Sequence, residues 1–473
     1  MSELYGQPGV FVEEVPAPFQ QVSAVDTAVP VFIGYSERTT YLGQSLLNRV
    51  VEIRSLADFA MMFGQPPAVG DFRIQLDADG NPVDGIPDPN DSALARFRLA
   101  YALKHYFLNG GGRCYVVSVG SFDCTGVMLA VAADHLRALS LLARTEGPTL
   151  IVMPDLSGIR PAAPDDALSI ASIRSQYYDV LRVALEQCAE TGDRFLIADP
   201  WDGTDPDEAS LTAFRDGIST SCLEYGAAYF PSIHTTLPWR WDEQAIQVSQ
   251  PAEPSSGDSR TLADLKGRGR NANPEIYRKV RFALDRFSVT LPPSPALAGI
   301  YCSVDRERGV WEAPANIALS GVRSLAVDID LRLGQRLTAH SSGKAINPLR
   351  YFTDKGNRVW GARTLAGDSN EWRYINVRRY CNMVRASVRR FLATQGEITD
   401  SRYSRHMVEA AVGDFLTAQW RAGALQGTKP EAAFFVRCYL SETAADGGRL
   451  EPALKVSIGL ATVKPAEFTI INV

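Results

Sequence analysis

The sequence predicts a multidomain α/β protein, with a parallel-sheet α/β middle domain, an α+β carboxy-terminal domain and a short β-strand arm at each end. At 473 residues the chain exceeds what one ordinary core serves. From residue 149 onward strand and helix patterns alternate, which implies right-handed βαβ crossovers and a parallel sheet. The two ends are β-rich, apolar and set off by prolines, as befits strands that pair away from their own core.

Residues 1–25 form the first arm. Gly9-Val-Phe-Val-Glu-Glu-Val15 has strand character, but Pro8 precedes it and Pro16 and Pro18 follow, so it cannot extend. A lone strand needs a sheet to join, which makes Val10, Phe11, Val12, Glu13 and Val15 candidates for pairing with a neighbouring subunit. Residues 26–125 form a first α/β region, with buried strands at 29–34 and 113–119 and a helix near 93–108. Its segment 65–92, with six Asp and one basic residue, reads as a long surface loop. The middle domain, 126–345, carries strands at 149–153, 194–198 and 227–231 and helices at 166–190 and 207–221. The Pro, Gly and Ser content of 240–275 reads as a mobile insertion. The last domain, 346–473, is dominated by helices at 374–392 and 403–422, the second stopped by Gly423. Its end, 464–473, is the second arm, with Glu467, Phe468, Thr469, Ile470 and Ile471 as pairing residues.

Hydrophobic residues make up 45% of the chain and charged residues 22%, values of a globular protein that buries substantial apolar surface. The net charge of −6 argues against general nucleic-acid binding. From Lys344 to Arg421, however, 14 Lys/Arg stand against 7 Asp/Glu, so some surface there meets something acidic. Seven cysteines, odd in number and without a C-x-x-C pair, suggest reduced, mostly buried thiols. The opening residues lack the basic start and apolar run of a secretory signal, and no run approaches 18 apolar residues. The expectation is a protein made and kept in a cytosol, without direct membrane insertion.

Catalytic chemistry finds little to start from. Asp155 and Asp199 each come just after a predicted parallel strand, where open α/β sheets place catalytic and metal-binding carboxylates. They raise the alternative of a metal-dependent hydrolase, although Asp favours such turns simply because it caps the next helix or loop. In Asn109-Gly-Gly-Gly-Arg113 the glycines come after a helix and precede a strand, the reverse of a phosphate loop, so a helix cap is expected. Asp77-Ala-Asp-Gly-Asn81 starts like a calcium loop, but Pro82 and Asp88 stand where Gly and Glu are needed. Five histidines form no H-E-x-x-H, and no G-x-S-x-G elbow occurs. Helical spacing places Arg378, Arg385 and Arg389 in a row opposite Val377, Tyr380, Cys381, Val384, Val388, Phe391 and Leu392. That row is a solvated face, a surface for docking an acidic protein or, least favoured, a nucleic-acid surface.

A series of segments carries more information in its order than in any member. It runs Asn347-Pro-Leu-Arg350, Arg358-Val-Trp-Gly-Ala-Arg-Thr-Leu365, Glu371-Trp-Arg-Tyr-Ile-Asn-Val-Arg-Arg379, Gln419-Trp-Arg-Ala-Gly-Ala-Leu425, Pro430-Glu-Ala-Ala-Phe-Phe-Val-Arg-Cys438 and Lys464-Pro-Ala-Glu-Phe-Thr-Ile470. Upstream stand Tyr5-Gly-Gln-Pro-Gly9 and Glu307-Arg-Gly-Val-Trp-Glu-Ala-Pro-Ala-Asn316. In this order they resemble contractile tail sheath proteins of phages and phage-tail-like injection systems. The resemblance implies a tail-sheath-like architecture: hexameric rings stacked around an inner tube protein, bounded by baseplate and terminator or cap proteins. It implies terminal arms exchanged between subunits, contraction without a cofactor, and no catalytic or metal site. The carboxy-terminal domain becomes the inner one, and Arg378, Arg385 and Arg389 a candidate face for docking the tube. Assembly is expected in a bacterial cytoplasm. A baseplate-proximal or accessory sheath subunit is the nearest variant of this reading.

Overall fold

A computed structural model describes residues 21–91, 93–122, 131–160, 166–201, 203–204, 208–249, 260–267, 272–394, 402–444 and 450–463. The described residues fall into two units, 26–385 and a smaller one made of 21–25 with 386–463.

The larger unit is organised by a nine-stranded sheet. In chain order its strands are β1 (Pro30–Ser36), β2 (Val50–Ile53), β3 (Cys114–Ser121), β4 (Leu150–Val152), β5 (Phe195–Ala198), β6 (Gly226–Phe230), β7 (Ile317–Ala318), β8 (Ile346–Phe352) and β9 (Gly356–Val359). In space they run β7-β9-β8-β6-β5-β4-β1-β3-β2. From β8 across to β3 every pairing is parallel, and β9 and β2 add antiparallel strands outside. The expected parallel sheet is present, but it takes strands from all three regions that the sequence separates at 125 and 345.

Helices cover both faces, as a parallel sheet requires. Here α1 is Leu99–Leu108, α2 Ala132–Leu142, α3 Ala167–Thr191, α4 Glu208–Gly217 and α5 Ser294–Glu307. Strand alternation sorts the core. Val31, Ile33 and Tyr35 point to the side of α2, α3 and α4, where Leu139, Leu181 and Phe214 are buried. Phe32, between them, points to the side of α1 and α5, against Leu103, Leu297 and Tyr301. The period of two in β1 therefore assigns one apolar layer to each face.

Segment 65–92 is not a loop, and the described part of 240–275 is not loose. Ala68–Val69 pairs with Arg240–Trp241, and Arg73–Leu76 lies between Pro82–Asp84 and Gln247–Ser249. A third core binds them, with Ile74, Leu76, Trp241, Val248, Leu265 and Val280. Each segment alone contributes too few apolar residues to show a period. Their partners lie some 170 positions away, which is why local pattern reads both as surface.

In the smaller unit, helix α7 (Arg402–Arg421) lies beside a two-stranded antiparallel ribbon, β10 (Phe434–Ala444) and β11 (Leu450–Leu460). Val408, Val412, Phe415 and Leu416 form the buried side of α7. Gly423, at φ +88°, ends the helix as expected. Helix α6 (Ile375–Thr394) carries the boundary between the units, at 385/386 rather than at 345, because β8 and β9 belong to the nine-stranded sheet.

Candidate functional site

The two sheet-end carboxylates hold helix starts. Asp155 accepts the Arg98 amide, at the start of α1, through Oδ1 at 2.5 Å and the Tyr35 amide through Oδ2 at 2.7 Å. The Tyr35 amide is available because the β1–β3 register shifts between Gly34 and Tyr35. Gly34 is needed for this approach, since a Cβ there would lie 2.5 Å from the carboxylate. Asp199 binds the first residue of α5, accepting the Ser294 amide at 3.0 Å and its hydroxyl at 2.5 Å. Carboxylates placed so complement the amides and dipole of a helix start. Burial pushes each carboxyl up to about 7 against the hydrogen bonds that favour its charge. Both aspartates are thus engaged separately as caps. Among the described residues no group of three or more His, Cys, Asp or Glu is arranged to hold a metal.

The other motifs resolve locally. Asn109 caps α1, followed by Gly110 at φ +94°. Asp77 closes a hairpin turn, accepting the Asn81 amide at 2.7 Å and its side chain at 3.0 Å, which holds its carboxyl below the usual range. His105 and His135 are buried, and desolvation lowers both to about 4.

The arginine row divides. Arg385 and Arg389 are exposed on α6, but Arg378 is buried. Its guanidinium stacks 4.1 Å from the centroid of Trp372 and 4.6 Å from that of Tyr225, and Nε donates to Asn382 at 2.9 Å. The expectation that Arg378 belongs to a docking face is therefore corrected. From Tyr374 to Val384 the helix is buried nearly all round, so a wheel argument that assumes one solvated face fails there.

Its neighbour Arg379, which the wheel does not mark, is a tightly held cation. It pairs with Asp305 at 2.6 and 2.9 Å, with side-chain exposures of 4% and 6%. The same guanidinium donates to the Thr27 carbonyl at 3.1 Å and stacks 4.7 Å from the Tyr301 ring centroid. Thr27 Oγ1 completes the set by donating to Asp305 at 2.5 Å. Residue 27, α5 and α6 thus meet at one buried ion pair. Helical spacing on α6 marks Arg379 as a position next to Arg378, but its partner is 74 residues distant and invisible to local pattern.

The arm residues Val10, Phe11, Val12, Glu13 and Val15, and Glu467, Phe468, Thr469, Ile470 and Ile471, lie outside the described residues. The β10–β11 ribbon has eleven residues in each strand. Phe435 and Tyr439 stand about half exposed on one of its faces, with Arg437 between them stacked 5.4 Å from the Phe435 centroid. Among the described residues no helix is long and apolar enough to cross a membrane.

No family model matches the chain. A putative prophage major tail sheath protein of Pseudomonas aeruginosa (strain UCBPP-PA14) is 28% identical over 93 residues, which is 20% of this chain and 24% of that protein. The fold extends much further. The contracted sheath of an extracellular contractile injection system, PVC, superposes with a TM-score of 0.63 at 24% identity over 99% of this chain and 97% of the other. The contracted helical sheath of the anti-feeding prophage gives 0.59 at 26% identity, covering 98% of both chains. A chain of the six-fold symmetrised anti-feeding prophage baseplate gives 0.59 at 27%, covering 99% and 98%.

The fold is that of contractile sheath proteins, and the class is a structural one. Within it, likeness in both sequence and fold extends over the whole chain to sheath and baseplate chains of the anti-feeding prophage.

Proposed function

We propose that the chain is the structural subunit of a contractile sheath, polymerising as stacked hexameric rings around an inner tube and shortening to drive that tube through a target cell envelope. The observation that carries this reading is the likeness, over 98% of both chains, to a helical sheath in its contracted state. Self-association is the primary partnership, with baseplate association beside it. Contacts with an inner tube protein and with terminator or cap proteins extend the same reading, as does assembly in a bacterial cytoplasm into a phage tail or injection particle.

Residues 10–15 and 467–471 serve as strands added to the ribbon of neighbouring copies. If each makes about four backbone hydrogen bonds at net ~1 kcal/mol, one arm is a weak link and a closed lattice a strong one. The energy for contraction is stored at assembly, without nucleotide hydrolysis by the sheath. Tube docking falls to Arg385 and Arg389, since Arg378 is buried. Reversing both charges is expected to weaken assembly on the tube and leave tube-free polymers intact; equal loss of both would remove the assignment.

Negative-stain microscopy of the protein alone and with its tube partner tests the whole. Wide hollow cylinders alone and narrower ones around a tube are expected. Monodisperse particles in both samples would overturn the polymer reading. The likeness to a baseplate chain favours one alternative, a baseplate-proximal subunit, which would give single rings instead of long cylinders.

A further inference from the structure

In the ribbon, one strand edge is already occupied by a side chain. In an antiparallel ladder, alternate residues turn their amides away from the partner strand. Cys438 faces Val456 in the register, yet its amide donates to Oε1 of Glu409, on α7, at 2.7 Å. The amides of Val436, Cys438 and Leu440 share that parity, so Glu409 sits on the outer edge of β10, at the middle of the three. The other carboxylate oxygen lies 3.5 Å from His406 Nδ1, one turn away. A carboxylate accepts more strongly than the neutral carbonyl that an incoming strand would bring.

From this we infer that Glu409 guards the β10 edge, so that a terminal strand of a second copy, added to this ribbon in the proposed function, must displace the carboxylate to pair. The inference rests on the sheath reading and adds a control to it. Exposed edges are an aggregation hazard that proteins blunt with charge. A single acceptor at one amide suits the need, because a stray contact cannot outcompete it whereas a strand that forms the whole ladder can. On exchange the strand's carbonyl takes the Cys438 amide, and the carboxylate turns to solvent beside His406. Phe435 and Tyr439, half exposed on the same strand, offer the arriving side chains an aromatic surface.

The sign of one effect decides between a guard and a merely structural bond. In full-length protein, Glu409→Ala should lower the concentration at which polymer appears at least tenfold, and speed Cys438 amide exchange in the monomer by a similar factor. Glu409→Gln, which keeps an acceptor but loses the charge, should shift both in the same direction by about two- to threefold. Polymer appearing at the same or higher concentration in Glu409→Ala, with melting unchanged, would overturn the guard. Should Glu409→Ala fail to fold, Glu409→Gln carries the test, and no shift in either of its readouts overturns it. A wild-type chain that never polymerises would sink the sheath reading, and the guard with it.

Discussion

In the larger unit the central sheet is covered on both faces and its outermost strands are short, four residues at Val50–Ile53 and two at Ile317–Ala318. In the smaller unit, among the described residues, two eleven-residue strands pair only with each other along their length. Two-stranded ribbons are marginal alone in water and need a third strand or a packed helix. One unit thus closes its sheet with short edges, around cores that bury residues such as Phe32, Tyr106 and Phe214 completely. The other has α7 on one side, with Glu409 of that helix accepting an outward amide of β10. Under the proposed function, stability and assembly fall to different parts of one chain.

The comparison breaks most visibly if the arms are removed. Deleting residues 1–15 or 466–473 is expected to abolish polymerisation while the monomer melts as the wild type does, within about 1 kcal/mol. Scanning calorimetry and sedimentation on the same samples check both halves. Normal polymers from either deletion would mean that the ribbon edge is not where copies join.

Next in size is the buried ion pair. Asp305→Ala leaves the Arg379 guanidinium uncompensated and frees Thr27, and losing one member of a buried pair costs roughly 3–5 kcal/mol. Denaturant unfolding should register that loss in the larger unit. A polymerisation defect without loss of stability would show that the pair serves assembly instead.

Much of this was legible in sequence where the signal is local. The alternation of strand and helix after residue 149 located β4, α3, β5, α4 and β6 within a few residues, and Asn109 and Gly423 ended helices as their chemistry requires. What was illegible depends on distant partners. The insertion core joins Ile74 to Val248, and β8 joins the sheet beside β6, so the boundaries drawn at 125 and 345 divided one sheet. Arg378 was misplaced because stacking on Trp372 and Tyr225 lets a guanidinium be buried without a carboxylate, which composition cannot signal. Order and spacing of whole segments, by contrast, carried the class even where single residues did not.

A finer contrast separates the two helix-capping aspartates. Both oxygens of Asp155 accept main-chain amides, so Asp155→Asn turns an NH2 toward an N–H and leaves a donor unsatisfied, at a cost of about 1–3 kcal/mol. Asp199 faces an amide and a hydroxyl of the same Ser294, and the hydroxyl accepts as readily as it donates. Asp199→Asn should therefore cost less than about 1 kcal/mol. Equal losses at the two positions would mean that charge, and not donor count, sets their contribution.

The same pair gives the most specific effect, a pH dependence. Burial raises both folded carboxyls to about 7, whereas an unfolded aspartate titrates near ~3.9. Between those values the folded state binds more protons than the unfolded one, so stability falls as pH rises. The contribution is fully present below about 4, declines through the interval, and is gone above about 7, with a slope of at most ~1.4 kcal/mol per pH unit for each group. Melting of the larger unit should accordingly drop from pH 5 to pH 8, and Asp199→Asn, which keeps its helix cap but cannot titrate, should flatten the slope by about half. An unchanged slope in that variant would assign the dependence to other groups. The ribbon unit offers the internal control, because neither aspartate lies in it and its own melting should not track this curve.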